Sequence, residues 1–117
     1  MPHVLIIGYD PTTIPGADAT AILTAMDDQT TQFTTLGIDT RLAMVAPGQP
    51  AEPAIVPALT ERDWDVVVIG AGIRKPDQAL TDFEQVVNLV HRHAPHAAIA
   101  FNSNPHDTIT AAQRWLP

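Results

Sequence analysis

Two adjacent cations, Arg74 and Lys75, follow directly after an uninterrupted apolar run in the segment VVVIGAGIRKPDQ. The whole chain has only six Lys and Arg residues, so this pair concentrates much of its positive charge. Gly70 and Gly72 stand just before the pair, and glycine lets a backbone approach a ligand closely. Nearby helix N-termini would add partial positive charge. The combination favours a site for a phosphate or a carboxylate.

The same residues also have a purely structural interpretation. Gly70 and Gly72 would then only permit a tight turn, and the cations would be solvated or paired with Asp77 or Asp82. Nucleotide motifs do not decide the matter. GAGIRK has the first two glycines of the dinucleotide fingerprint, but Lys75 takes the place of the third and the motif follows the third strand. No GxxxxGK[ST] phosphate loop occurs in the chain.

A second polar segment, YDPTTIPG, follows the first apolar run. Thr12 and Thr13 offer hydroxyls to a ligand, but Pro11 and Pro15 remove two backbone donors from what would otherwise resemble a phosphate loop. Asp10 is the weak candidate for a catalytic role, as a nucleophile, a general base or a magnesium ligand. Its alternative is a cap or turn former before a proline, which is common behaviour for aspartate.

A third polar segment, NSNPH, follows the last apolar run. Asn102, Ser103 and Asn104 have amides and a hydroxyl that can orient a ligand by hydrogen bonding. Asn before Pro is equally good turn chemistry, so both interpretations stay open. Ser103 and His106 do not form a convincing catalytic pair, because a loop spacing of three residues fixes no geometry and no third group is apparent.

Charge and composition exclude several classes of partner. Thirteen acidic and six basic residues give a net charge of −7, which repels nucleic acids and anionic lipid surfaces. The six aromatic residues offer few stacking platforms, so we expect no cofactor, and neither a nucleotide nor FMN. His91 and His93 point in different directions on a helix, so no metal site is predicted in HRHAPH.

The absence of cysteine excludes disulfides, thiolate metal sites and cysteine nucleophiles. No apolar run approaches the roughly 18 residues that a membrane span requires, so no membrane partner is expected. The N-terminal segment MPHVLIIGYD lacks a basic region and a small-residue cleavage site, and it is typical of a first strand. We therefore expect a cytoplasmic protein, with residues 1–117 forming one domain.

Four short apolar runs alternate with longer segments of helical period, a pattern typical of βα units around a parallel sheet. Three of the runs lack the polar alternation of a half-exposed strand and need cover on both faces. The second run is less uniformly apolar and suits an edge. The four predicted strands are His3–Gly8, Asp39–Ala46, Asp65–Gly70 and Ala97–Phe101.

Helices are predicted between these strands. Asp18 can cap a helix that runs to about Leu36, with Gly37 in the left-handed closing position. Four prolines from Pro47 to Pro57 predict an extended loop and then a short helix over Pro57–Arg62.

Helix signals are clearer in the last third of the chain. Thr81 and Glu84 form a capping-box pattern that starts a helix near Asp82, and Pro95 stops it. The apolar stripe of that helix is Phe83, Val86, Val87 and Val90. A last helix is predicted over Asp107–Leu116.

Right-handed crossovers favour the flavodoxin-like strand order 2-1-3-4, a three-layer sandwich with helices on both faces of a four-stranded parallel sheet. The three polar segments then converge beyond the carboxyl ends of the strands, where the winding reverses. The fourth strand lies at an edge although it is apolar, so either a homodimer or the last helix should cover it.

The motifs IIGYDPTTIPG, VVVIGAGIRKP, FEQVVNLVH and IAFNSNP extend along most of the chain. Through them the chain resembles a set of small single-domain bacterial proteins of uncharacterised activity, and more generally the Rossmann-like and flavodoxin-like superfamily. The resemblance implies a fold and transfers no catalytic residue.

We therefore expect an α/β protein that binds a small anionic molecule at the carboxyl edge of its sheet, with Arg74 and Lys75 as the main contacts. Whether it is also an enzyme stays open; if it is, Asp10 would act as acid, base or metal ligand. The alternative is a homodimeric interaction protein that uses the fourth strand and the third predicted helix.

Overall fold

One four-stranded parallel sheet organises the protein in a computed structural model that describes residues 1–117. All neighbouring strands are parallel, and their order is β2-β1-β3-β4. The predicted α/β class and the flavodoxin-like order 2-1-3-4 are confirmed. The strands are β1 (His3–Tyr9), β2 (Asp39–Val45), β3 (Val66–Ile69) and β4 (Ala98–Phe101).

The two central strands are buried on both faces, which explains their uninterrupted apolar sequences. Successive side chains of a strand point to opposite faces. In β1, Leu5 and Ile7 pack in one core cluster, and Val4 and Ile6 pack in the other. All four residues of β3 are inaccessible to solvent. A sheet covered on both sides therefore requires apolar residues at every position of these strands.

Three helices cover the first face of the sheet: α2 (Glu52–Leu59), α3 (Ala71–Arg74) and α4 (Leu80–His93). The predicted apolar stripe of α4 packs as expected, since Val86 and Val90 are fully buried and Phe83 and Val87 are partly buried against the same core cluster. Trp64 closes this core at the amino ends of the strands, and its indole N–H donates to the carbonyl of Ala58 at 2.9 Å.

Two helices cover the opposite face: α1 (Ala19–Thr35) and α5 (Thr108–Gln113). Asp18 caps α1 as predicted, because its carboxylate accepts from the amide of Ala21 at 3.1 Å. Gly37 follows the helix with φ of 74°, the left-handed conformation that glycine adopts without strain. The predicted last helix is shorter than expected at both ends. No helix of the protein combines the length and the apolar character that a membrane crossing requires.

The prediction for the second connection was wrong in position. The helix α2 begins at Glu52, whereas the sequence predicted a start at Pro57. Pro53 lies in the first turn, where a missing N–H leaves no bond unmade. Pro57 lies inside the helix, and the burial of Ile55, Ala58 and Leu59 offsets the hydrogen bond that this proline cannot donate.

The predicted capping box is also absent. The helix α4 begins at Leu80, its N-cap residue is Ala79, and no side chain caps it. A 3-10 turn over Asp77–Ala79 runs directly into the helix, so Thr81 already lies within the first turn. A capping hydroxyl needs a residue with non-helical backbone angles at the boundary, and Thr81 is past that boundary.

Substitutions at the two helix starts should therefore differ in cost. Replacing Asp18 by Ala should lower the free energy of unfolding by about 1 kcal/mol, because the cap of α1 is lost. Replacing Thr81 by Ala should change it by less than about 0.5 kcal/mol, since no capping bond is broken. Urea denaturation of both variants measures the difference. Equal losses would mean that Thr81 caps α4 after all.

Candidate functional site

A cavity of about 250 Å³ opens at the carboxyl edge of the sheet, where the pairing of β1 with β3 ends at Ile7 and Ile69. The chain leaves β1 towards β2 and leaves β3 towards β4, so this is the point where the winding reverses. The cavity lies between the sheet and α1. Its walls are mainly apolar and include Ile6, Ile7, Pro11, Ile22, Met26 and Pro105.

The polar part of the lining comes from side chains that are themselves buried. Gln29, Asn102 and Thr108 line the cavity, and they are three of the four buried polar or charged residues of the protein. None of the 16 lining residues carries a charged side chain. A buried polar group is stable only where its hydrogen bonds are made, so the partners of these three residues decide what the cavity can bind.

Asn102 joins three elements around the cavity. Its side-chain oxygen accepts from the amide of Ala71 at 2.8 Å, at the start of α3. Its side-chain nitrogen donates to the hydroxyl of Thr108 at 3.0 Å, at the start of α5. As a donor, the Thr108 hydroxyl makes only one long contact, 3.5 Å to the carbonyl of Pro105. That hydroxyl proton is therefore available to a better acceptor.

Gln29 adds a free donor to the cavity lining that Asn102 and Thr108 share. Its side-chain oxygen accepts from the amide of Ile109 at 2.9 Å, which fixes the orientation of the amide group. The side-chain nitrogen has no partner within the protein. It is not sealed from solvent either, because Nε of Arg74 is the only enclosed polar side-chain atom without a partner. Because Gln29 lines the cavity, this accessible nitrogen is a donor that a molecule in the cavity could reach.

Arg74 and Lys75 lie at the same edge of the sheet but outside the cavity lining. Arg74 ends the short helix α3, a turn that the sequence analysis treated as a loop. Its guanidinium donates to the carbonyl of Asn102 and lies 5.3 Å from the ring centroid of Phe101. The ammonium of Lys75 donates to the carbonyl of Ser103 at 2.6 Å. Both cations therefore hold the loop that follows β4.

The candidates of the first loop form a 3-10 turn beside the cavity. The Asp10 carboxylate accepts from the amide of Thr12 at 3.0 Å and from its hydroxyl at 2.7 Å. The Thr13 hydroxyl donates to the carbonyl of Asp10 at 2.6 Å. Asp10, Thr12 and Thr13 do not line the cavity, whereas Pro11 does. These contacts are those of a turn cap.

The candidates of the last loop, Ser103 and Asn104, also bond mainly to their own segment. The Asp107 carboxylate accepts from the amides of Ser103 at 2.9 Å and Asn104 at 3.2 Å. Burial acts to raise the pKa of Asp107, but these hydrogen bonds outweigh it and lower the pKa below its ordinary value. The loop is thus held by its own carboxylate, and Asn102 is the member of this group that faces the cavity.

Gly70 and Gly72 both line the cavity, for different reasons. A Cβ at Gly70 would lie 3.3 Å from the carbonyl oxygen of Ile7, a tight contact, so the close packing of β1 against β3 favours glycine there. A Cβ at Gly72 would meet no atom within 4 Å. Neither glycine has a positive φ, so neither is needed for a left-handed turn.

Sequence patterns did not predict several residues of the cavity lining, and Gln29 is the most informative of them. It lies on the apolar stripe of α1, three residues after Met26 and four before Phe33. A glutamine on the buried face of an amphipathic helix is an anomaly that the sequence displays. Thr108 gave no such signal, because its contact with Asn102 depends on how the last loop folds.

Tyr9 lines the cavity and makes a hydrogen bond, at the carboxyl edge of the sheet, to the buried Asp82 of α4. The phenol donates to the carboxylate of Asp82, which also accepts from the amide of Gly48 at 3.1 Å. Burial raises the pKa of Tyr9, and the hydrogen bond to Asp82 and its negative charge raise it further. The bond ties the cavity wall to the loop that follows β2.

Neither a metal cluster nor a known relative assigns chemistry to this edge. No group of three or more His, Cys, Asp or Glu side chains is arranged to hold a metal ion. No protein-family model, curated protein or solved structure matches the chain. Because doubly wound sheets host many unrelated functions, the role of the cavity has to be argued from its own residues.

Replacing Tyr9 by Phe should lower the free energy of unfolding by about 1.5–3 kcal/mol at neutral pH, since a hydrogen bond to a charged acceptor is lost. Above about pH 10 the unfolded chain releases the phenol proton that the folded protein keeps, so the parent loses stability as the pH rises. The difference in the free energy of unfolding between the parent and Tyr9→Phe should therefore decrease at alkaline pH. Denaturation between neutral pH and alkali measures it.

The same experiment has a direct spectroscopic check. Tyr9 is the only tyrosine of the chain, so the tyrosinate absorbance band reports this group alone. We expect the band to appear well above the ordinary tyrosine pKa and together with unfolding. A titration near the ordinary value in the folded protein would show that the bond to Asp82 does not form.

Proposed function

We propose that the protein binds a small anionic molecule in the cavity between the sheet and α1, with an oxygen of its carboxylate or phosphate facing Gln29, Asn102 and Thr108. The observation that carries the proposal is the side-chain nitrogen of Gln29, which has no partner in the protein and belongs to a buried residue that lines the cavity. A ligand oxygen would give this donor, in place of water, the acceptor that the protein does not provide.

The charge distribution supports an anion over a cation. The chain has thirteen acidic residues, yet none of them lines the cavity. Two side-chain donors of the lining are free, namely the amide nitrogen of Gln29 and the hydroxyl proton of Thr108. Donors without an opposing carboxylate favour an acceptor with negative charge.

In this proposal Arg74 and Lys75 act from a distance. Their bonds to the carbonyls of Asn102 and Ser103 hold the last loop and keep two positive charges at the ligand edge. These charges would raise the potential at the cavity and attract an anion without touching it. Asp10, which caps its own turn, has no contact with the ligand in this arrangement.

The proposal is for binding and assigns no reaction. A catalytic site usually holds titratable groups within reach of the reacting atoms. Tyr9 is the one titratable residue of the lining, and its hydroxyl is engaged by Asp82. The proposed role is therefore recognition.

The proposal is tested by measuring the melting temperature in the presence of small carboxylates, inorganic phosphate or sugar phosphates. Binding at a hundredfold excess over Kd should add about 2.7 kcal/mol of stability and raise the melting temperature. Replacing Gly8 by Val should abolish this shift, because a Cβ at Gly8 already meets Met26 Cε at 3.7 Å and a larger side chain would fill the space. Replacing both Arg74 and Lys75 by Ala should reduce it.

Replacing Gln113 by Leu serves as the matched control, since that exposed residue lies outside the cavity lining. Its response should equal that of the parent. Shifts that persist at full size in a folded Gly8→Val variant would remove the cavity as the site. No shift of the parent with any anion would sink the proposal.

A second candidate function is self-association along β4, which rests on the exposed apolar groups beside that edge strand. Leu80 is 61% exposed and Phe101 is 39% exposed. The ring of Phe101 contacts that of Phe83 on α4, with 6.0 Å between ring centroids. The last helix packs against one face of β4 and leaves these groups uncovered.

Sedimentation at several concentrations tests this candidate. A homodimer should appear as the concentration rises and should be lost when Phe101 is replaced by Lys, because the charge would be buried in the interface. Replacing the exposed Trp115 by Lys, which removes an apolar side chain outside this group, should leave the dimer intact. A parent that stays monomeric at every concentration would remove the candidate.

A further inference from the structure

Resting on the proposed function, we infer that the ligand is a compact monocarboxylate with an apolar body, and that Gln29 is the residue that selects its carboxylate. The inference goes beyond anion binding because it excludes phosphates and fixes the size and polarity of the ligand. It rests on the volume of the cavity, the character of its walls and the partners of Gln29.

The volume limits the ligand to a few carbon atoms. The cavity measures about 250 Å³, below the roughly 300–1,000 Å³ of most ligand pockets. A water molecule takes up about 30 Å³ of liquid, so the cavity holds on the order of eight groups of that size. A branched or planar acid of short chain fits this space, whereas a nucleotide or a flavin has many more non-hydrogen atoms than the space holds.

The walls require an apolar body. Ile6, Ile22 and Met26 face the cavity from the sheet and from α1. A sugar would leave most of its hydroxyls against these side chains without partners, at the full cost of removing them from water. An aliphatic or aromatic group instead gains from leaving water.

The polar corner suits one negative charge better than two. No cation lines the cavity, and Arg74 and Lys75 are engaged by backbone carbonyls. A phosphate dianion loses its hydration on burial and needs a cation in contact to replace it. A carboxylate carries a single charge over two oxygens, which the amide of Gln29 and the hydroxyl of Thr108 can each meet.

Gln29 is placed to act as the selecting residue. The bond from the Ile109 amide holds its oxygen, so the amide cannot turn that end towards a ligand without breaking the bond. The nitrogen is thereby committed to donate, and it accepts nothing. A ligand acceptor is favoured at this position, whereas a ligand amine would place its own donor against the nitrogen of Gln29.

Replacing Gln29 by Glu tests this role with little change of shape. A carboxylate oxygen can still accept from Ile109, while the other oxygen puts a negative charge where the donor was. Titration calorimetry should show that the parent binds 3-methylbutanoate and that Gln29→Glu binds it roughly tenfold or more weakly. The variant should instead gain affinity for 3-methylbutan-1-amine, which has the same apolar body.

Gln32→Glu is the matched control, because it makes the same substitution on an exposed face of the same helix. We expect its affinity for 3-methylbutanoate to equal that of the parent. If Gln29→Glu does not fold, the parent still decides the matter: the side-chain amide signals of Gln29 in an NMR spectrum should shift with 3-methylbutanoate and benzoate and not with 3-methylbutan-1-amine.

The possible failures are distinguishable. Binding of inorganic phosphate or a sugar phosphate, with none of the monocarboxylates, would overturn the ligand class and leave the proposed anion site standing. Equal weakening by Gln29→Glu and Gln32→Glu would overturn the selecting role, since a general charge effect would then explain the loss. Binding of no anion at all would overturn both this inference and the proposed function.

Discussion

The parallel pairing of β1 with β3 is the constraint on which the rest of the structure depends. Their pairing ends where Ile7 lies opposite Ile69, β1 continues to Tyr9 beside β2, and the chain leaves the two strands in opposite directions. Glycine at position 70 suits this close approach, because a Cβ there would make a tight contact of 3.3 Å with the carbonyl oxygen of Ile7. The cavity is the space that this divergence leaves between the sheet and α1.

Hydrogen bonds from buried side chains then decide the shape and the chemistry of that space. Asn102 fixes the starts of α3 and α5 relative to β4, and Gln29 fixes α1 against α5. Each of these amides has one end committed to the backbone, so its other end is oriented by the fold. Pre-organised donors of this kind bind an acceptor with little loss of side-chain entropy.

Much of the fold could be predicted because it follows from local patterns. The apolar runs of β1 and β3, the Asp18 cap and the stripe of α4 each depend on neighbouring residues alone. The failures came where tertiary packing overrode a local signal. Pro57 lies within α2 because buried Ile55 and Leu59 stabilise that helix, and Thr81 does not cap α4 because the turn before it is already helical.

The sequence by itself determined the fold class, the strand order and the edge of the sheet where three polar segments meet, since periodicity and right-handed crossovers leave few alternatives. Only the tertiary structure decided which residues face the cavity. It turned Arg74 and Lys75 towards the carbonyls of the last loop and brought Gln29 into the lining. These choices depend on contacts between residues far apart in the chain, and no local pattern encodes them.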